Sequence, residues 1–221
     1  MRQELHEICQ WAEEIMRGAQ DPLHNQEHIN RMYTYLHKGL HENDFYLQLN
    51  HLGIGEPDLD KLLTAIAAHD IYRATIPLHG SLAGYLKGFV LDGFGSDWML
   101  KRKTNEVGLD RESRNEISHA ICQHGAVHLP RRSNLAHVLA DFDKLDMYSL
   151  ERIESIYTMM MQNLPVHPDS IDISRIFLQV SRDTDFVLPW VRERYRKMRE
   201  PALIALHELK RDYAHAYLAR M

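Results

Sequence analysis

Apolar side chains recur three and four residues apart along nearly the whole of this chain, and that period commits it to helices packed against helices. Leu5, Ile8, Cys9, Ala12 and Ile15 make one stripe over 4–17, and Ile29, Met32, Tyr33 and Leu36 make another over 26–40. A helix over 58–70 follows Pro57 and carries Asp58 and Asp60 in its first turn, where they complement the helix dipole. It continues through Leu59, Leu62, Leu63 and Ile66. Ser81 is a good N-cap for 81–91, and Ile117 and Ile121 mark 111–124. A long segment covers 134–162, and Pro189 opens 189–217, with Pro201 expected to break or kink it. No Val/Ile/Thr alternation between tight turns suggests a strand. Glycines, prolines and polar runs place loops at 17–25, 51–57, 73–80, 92–109 and 163–169. The expected fold class is all-α, a bundle of seven to nine helices read as a single domain over 1–221. The alternative is a core at 20–150 with a separate C-terminal helical pair.

With 221 residues the chain is long enough to bury a full core. A net charge of −5 supplies no basic balance for a nucleic-acid polymer or an anionic membrane surface. No apolar run approaches the roughly 18 residues of a membrane span. Glu4, Glu7, Glu13 and Glu14 are not what a secretory leader carries. Cys9 and Cys122 are too few for a disulfide framework and read as free thiols, so a cytoplasmic setting is expected. The unusual count is 15 histidines, the residue most used as a metal ligand.

Their placement matters more than their number. His69 falls three residues after Ile66, on the core-facing stripe, and Asp70 follows at the helix end. A buried imidazole beside a buried carboxylate is costly unless both find partners. A divalent cation satisfies both, although a core histidine beside a capping aspartate is the plainer reading of that pair alone. His28 shares the stripe of Met32 and Leu36, and Asp143 lies four after Leu139. Asp141, Lys144 and Asp146 bracket Asp143, and one helix aims only some of them inward. Three helices could therefore deliver His28, His69-Asp70 and Asp143 to one interior point, as bundles do when they build metal sites. His124, three after Ile121 and seven after Ile117, faces inward, whereas His119 faces away. His79 sits in a loop or a first helical turn, and His24, four before His28, shares its face. The pairs His37/His41 and His124/His128 have the same spacing, which 15 histidines produce by chance. Among cations, Arg73 and Lys144 lie nearest the acidic residues in sequence; Arg131-Arg132 and Lys101-Arg102-Lys103 read as solvated charge, and 192–200 as a salt-bridged helix face. HExxH, CxxC, a glycine-rich phosphate loop and GxSxG are all missing.

The segments NQEHINRM with His28, TAIAAHDIYR with His69 and Asp70, and ADFDKLDMY with Asp143 resemble the HD-domain metal-dependent phosphohydrolases. That family places a His, a His-Asp doublet and a last Asp on different helices of an all-α core. DFDKLD over 141–146 is close to the family's D-A-D-K-L-D. The resemblance implies an HD-like catalytic core at 20–150, with C-terminal helices over 151–221 packing on it. It implies His28, His69, Asp70 and Asp143 as ligands of a divalent transition metal (Mn, Fe, Co, Ni or Zn). The chain is also similar to the two-metal members, which implies His79 and His124 as ligands of a second ion, with Asp70 bridging. DPLHNQEH looks like the family's D-x-x-H-D/N-x-x-H opening, in which the second His ligates and His24 is left to line the pocket or support a ligand.

The reaction so implied is attack of a metal-activated water on a small phosphate ester, a nucleotide among the candidates, with Asp70, Arg73 and Lys144 as catalytic residues. The partner is then a small molecule, not a nucleic-acid polymer or a membrane, and the terminal helices are candidates for homo-oligomer contacts. Two other readings stay open. One is a di-iron oxygenase of the same superfamily, which uses the same extra histidines. The other is a non-catalytic regulatory protein that binds a metal or ligand.

Overall fold

The computed structural model describes residues 1–76, 82–124, 133–155, 182 and 185–218, the side chains of 82–90 and 216–218 excepted. Among them the fold is all-α, with no strand. The helices are α1 (Gln3–Arg17), α2 (Gln26–Leu40), α3 (Asn43–His51), α4 (Glu56–Ala68), α5 (Ile71–Ala74), α6 (Leu82–Glu106), α7 (Arg111–His124), α8 (Asn134–Asp146) and α9 (Pro189–Leu218). Helical backbone also runs over 150–155.

Local chemistry sets the helix starts that matter. Asn25 caps α2 by accepting hydrogen bonds from the amides of Glu27 (3.1 Å) and His28 (3.2 Å), which holds His28 in the first turn. The Asp58 carboxylate accepts from the Gly55 amide at 3.0 Å and anchors the start of α4. Ser133 caps α8 at the Ala136 amide. One buried apolar cluster then joins α1, α2, α4, α7 and α8 through residues such as Leu5, Met32, Ile66, Ile121 and Leu139. It extends to α9 through Phe45, Phe142 and Trp190, whose ring centroids lie 4.9–6.4 Å apart. Asp141 fastens the approach to α9, accepting from the amides of Val187 (2.9 Å) and Leu188 (2.8 Å).

Two expectations are corrected, and one helix was not foreseen. The 92–109 stretch is not a loop, because α6 runs unbroken to Glu106. Its glycines serve close packing: a Cβ on Gly93 would lie 3.1 Å from the Ile121 carbonyl oxygen of α7, and one on Gly95 would lie 2.2 Å from the Tyr72 ring. The helix read over 134–162 ends at Asp146, and Ser149 starts a new turn by accepting from the Arg152 amide at 3.1 Å. α3, absent from the sequence reading, is a nine-residue helix that buries only Phe45 and Leu49. At Pro201, where a break or a kink is expected, the break does not occur, because α9 runs on to Leu218.

Candidate metal centre

Three helices aim donor atoms at one buried point, and a fourth, α7, brings His124 to its edge. His28 comes from the first turn of α2, His69 and Asp70 from the end of α4, His124 from the last residue of α7, and Asp143 from the last turn of α8. The C-terminal, negative ends of α4 and α8 thus meet there, which favours a cation. His28, His69 and Asp70 are all but inaccessible to solvent, while the Asp143 side chain keeps 25% exposure and marks the open side.

The separations fit ligands around an ion. His28 Nε2 lies 3.1 Å from His69 Nε2, 3.5 Å from Asp70 Oδ2 and 3.4 Å from Asp143 Oδ1. His69 Nε2 lies 3.1 Å from Asp70 Oδ2 and 4.0 Å from Asp143 Oδ1. Donors bound about 2.1 Å from one ion stand about 3.0 Å apart at right angles and about 3.4 Å apart in a tetrahedron.

The hydrogen bonds behind the rings decide which nitrogens are available. His69 Nδ1 lies 2.8 Å from the Ile66 carbonyl, which only accepts, so Nδ1 carries the proton. His124 Nδ1 faces the Ile121 carbonyl in the same way at 2.5 Å. His28 Nδ1 donates to Asp146 Oδ2 at 2.7 Å. In the neutral rings the Nε2 atoms of His28 and His69 are therefore bare lone pairs 3.1 Å apart, an arrangement that needs a cation between them. Without a metal, a proton takes that place: burial opposes the His69 imidazolium, but Asp70 and Asp143 outweigh it and lift the ring to about 9. Burial likewise opposes the Asp70 carboxylate, yet His69, His124 and His28 hold it well below the usual range.

A second donor group adjoins the first. Asp70, Asp92 and His124 offer three buried atoms within 4.8 Å of one another, and His124 Nε2 lies 3.5 Å from Asp70 Oδ1. Asp70 belongs to both groups, one oxygen toward each. Burial and the facing Asp70 carboxylate push Asp92 well above the ordinary carboxylate range. Sequence reading missed Asp92, because it stood at the start of a supposed loop. With α6 continuous, Asp92, Ser96, Leu100 and Thr104 form a buried stripe at four-residue spacing.

Around the donors lies a charged layer. Asp146 accepts from Arg31 Nε (2.6 Å) and Nη2 (3.0 Å) while holding His28. Asp21 accepts from His24 Nδ1 at 2.7 Å and lies 3.4 Å from Arg73 Nε. Burial works against the Asp21 carboxylate, but His24, the Leu23 amide and Arg73 overcome it and hold Asp21 at about 2. Arg152 Nη1 stands 3.6 Å from Asp146 Oδ2, so Arg31, Arg73 and Arg152 all face carboxylates of this layer.

The other sequence candidates fall in different places. Arg73 is buried beside Asp21 and near Asp92. Lys144 points its ammonium at the Phe186 ring, 5.5 Å from the centroid, on the side of α8 that meets the C-terminal segment. His24 supports the site through Asp21, and His119 is exposed as its spacing predicts. His79, Arg131 and Arg132 lie outside the described residues. Lys101 pairs with Asp97, Arg102 covers Trp98 and Lys103 pairs with Glu106, all along α6. No protein-family model, curated protein or solved structure matches this chain.

Proposed function

We propose that the protein is a metal-dependent phosphohydrolase of the HD-domain kind that cleaves a small phosphate ester. The observation that carries this reading is the pair of Nε2 atoms on His28 and His69, 3.1 Å apart and set among the Asp70 and Asp143 oxygens at ligand-to-ligand distances. A mixed nitrogen and oxygen set of this kind suits Mn, Fe, Co, Ni or Zn better than Mg. Such an ion, when bound, activates water near neutral pH and polarises a phosphoryl oxygen.

The chain's own residues do the rest. Asp146 and the Ile66 and Ile121 carbonyls keep protons on the Nδ1 atoms, so that every Nε2 stays a donor to the centre. Asp70 serves both donor groups, and Asp92 and His124 complete a place for a second ion. Arg73, buried beside them, supplies fixed positive charge for an anionic substrate. Catalysis is assigned to Asp70 and Arg73, and Lys144 is left to pack on Phe186.

The test is turnover of a panel of nucleoside mono-, di- and triphosphates, cyclic nucleotides and simple phosphate esters, with Mn²⁺ or Co²⁺ added. Metal-dependent release of phosphate, abolished in Asp70→Ala, is expected, and a metal-loaded protein inert toward every ester refutes the reading. The paired donor groups also favour a second reading, a di-iron oxygenase. Iron spectra that change between anaerobic and aerobic samples, together with an inert ester panel, would select it.

A further inference from the structure

His28 and Arg31 stand three residues apart on α2, and Asp143 and Asp146 stand three apart on α8, so each helix carries one residue at the donor cluster and one behind it. The four side chains interlock. His28 Nε2 lies 3.4 Å from Asp143 Oδ1, and on the far side of the ring Nδ1 lies 2.7 Å from Asp146 Oδ2. Arg31 grips Asp146 by both oxygens, Nε donating to Oδ1 at 2.6 Å and Nη2 to Oδ2 at 3.0 Å. The other contacts of this carboxylate are longer: the Ser149 hydroxyl donates to Oδ1 at 3.4 Å, and Arg152 Nη1 stands 3.6 Å from Oδ2.

The two-point grip matters because the torsion that turns an aspartate carboxylate is broad. A single hydrogen bond to His28 leaves the carboxylate free to swing, whereas two N–H groups of one planar guanidinium fix its plane. With the plane fixed, Oδ2 stays opposite His28 Nδ1, and the imidazole stays turned with Nε2 toward His69, Asp70 and Asp143. We propose that Arg31 is a positioning residue of the metal centre, which sets how tightly the ion is held by fixing the Asp146 carboxylate that orients His28. The proposal rests on the metal reading above. It separates Arg31 from a plain ion pair between α2 and α8, which would contribute to stability and leave metal affinity alone. A lysine at this place supplies the charge but offers a single point in place of the fork. The Arg31 side chain keeps 16% exposure, so water reaches the gap that a shorter residue leaves.

The test titrates Co²⁺ into wild type, Arg31→Gln, Arg31→Lys, Asp146→Asn and the double variant Arg31→Gln/Asp146→Asn. Affinity is read against a chelator, the ligand-field absorption bands report the coordination, and urea unfolding of the metal-free proteins reports stability. The Co²⁺ Kd should rise about 10-fold in Arg31→Gln, the low end of the loss seen when a direct partner of a ligating histidine is removed. The absorption bands should shift with it. Arg31→Lys should recover more of the urea midpoint than of the Kd. On the Asp146→Asn background, Arg31→Gln should change the Kd by less than twofold, because the arginine acts through that carboxylate. A Kd within twofold of wild type and unshifted bands in Arg31→Gln, or in Arg31→Lys if the glutamine variant does not fold, overturn the proposal and leave the metal reading intact. A 10-fold loss that persists on the Asp146→Asn background overturns it too. Wild type that takes up no Co²⁺ overturns both.

Discussion

Replacing Asp146 by Asn keeps the shape and removes one charge, and the consequences can be worked from the contacts. Asp146 is fully buried; Oδ2 accepts from His28 Nδ1 at 2.7 Å and Arg31 Nη2 at 3.0 Å, and Oδ1 accepts from Arg31 Nε at 2.6 Å. An amide has one oxygen to offer in place of two. If that oxygen faces His28, the NH₂ group meets the Arg31 Nε–H, donor against donor. If it faces Arg31 Nε, the NH₂ group meets His28 Nδ1 and drives the ring proton to Nε2, where it blocks the metal position. Losing a carboxylate that orients a ligating histidine lowers metal affinity about 10- to 100-fold, or about 1.4–2.7 kcal/mol. Breaking a buried ion pair costs about 3–5 kcal/mol of stability, and the lower end applies because Arg31 retains 16% side-chain exposure. Competition of Zn²⁺ or Mn²⁺ against a fluorescent chelator reads the first quantity, and urea denaturation of the metal-free protein reads the second. Metal affinity within twofold of wild type in a folded Asp146→Asn protein would refute the role given to this carboxylate.

Two further predictions concern the frame of the site. Asp21 is depressed from 3.8 to about 2 in the folded protein, so its contribution is complete above about pH 4 and is lost as the pH falls through 2. The contribution is about 2 kcal/mol, and in Asp21→Asn the loss of stability between pH 5 and 2 should be smaller by about that amount in acid-dependent urea unfolding. Gly95→Ala should destabilise by about 1–3 kcal/mol, because its Cβ would fall 2.2 Å from the Tyr72 ring. Helix propensity alone predicts a gain of up to about 1 kcal/mol, so the sign of the shift in urea midpoint decides between packing and propensity.

Helical periodicity made the centre partly legible. His28, His69 and His124 each sit three or four residues from an apolar neighbour on a strongly periodic stripe, so their inward direction followed from the helix alone. Asp92 escaped for the opposite reason. Its stripe on α6 holds Ser96 and Thr104 in buried positions, and Gly93 and Gly95 stand beside it, so the hydrophobic signal fades where the helix lines the site and touches its neighbours. The DFDKLD run shows how geometry sorts like residues. Asp143 and Asp146, three apart, share a face and reach the two nitrogens of His28, whereas Asp141, two residues before Asp143, turns to the backbone of Val187 and Leu188. Lys144, one residue on from Asp143, is carried round to Phe186, and adjacency in sequence was a poor guide to its role. The end of α8 was hidden because the break at 147–149 is made by the Ser149 hydroxyl rather than by a glycine or proline.

The most direct measurement is an anomalous-scattering map from crystals of the protein loaded with manganese or zinc. A peak about 2.0–2.2 Å from His28 Nε2, His69 Nε2 and oxygens of Asp70 and Asp143 is the predicted result, with any second peak beside Asp92 and His124. A loaded crystal with its anomalous peaks elsewhere, or these four side chains bonded to one another with no ion between them, would contradict the account.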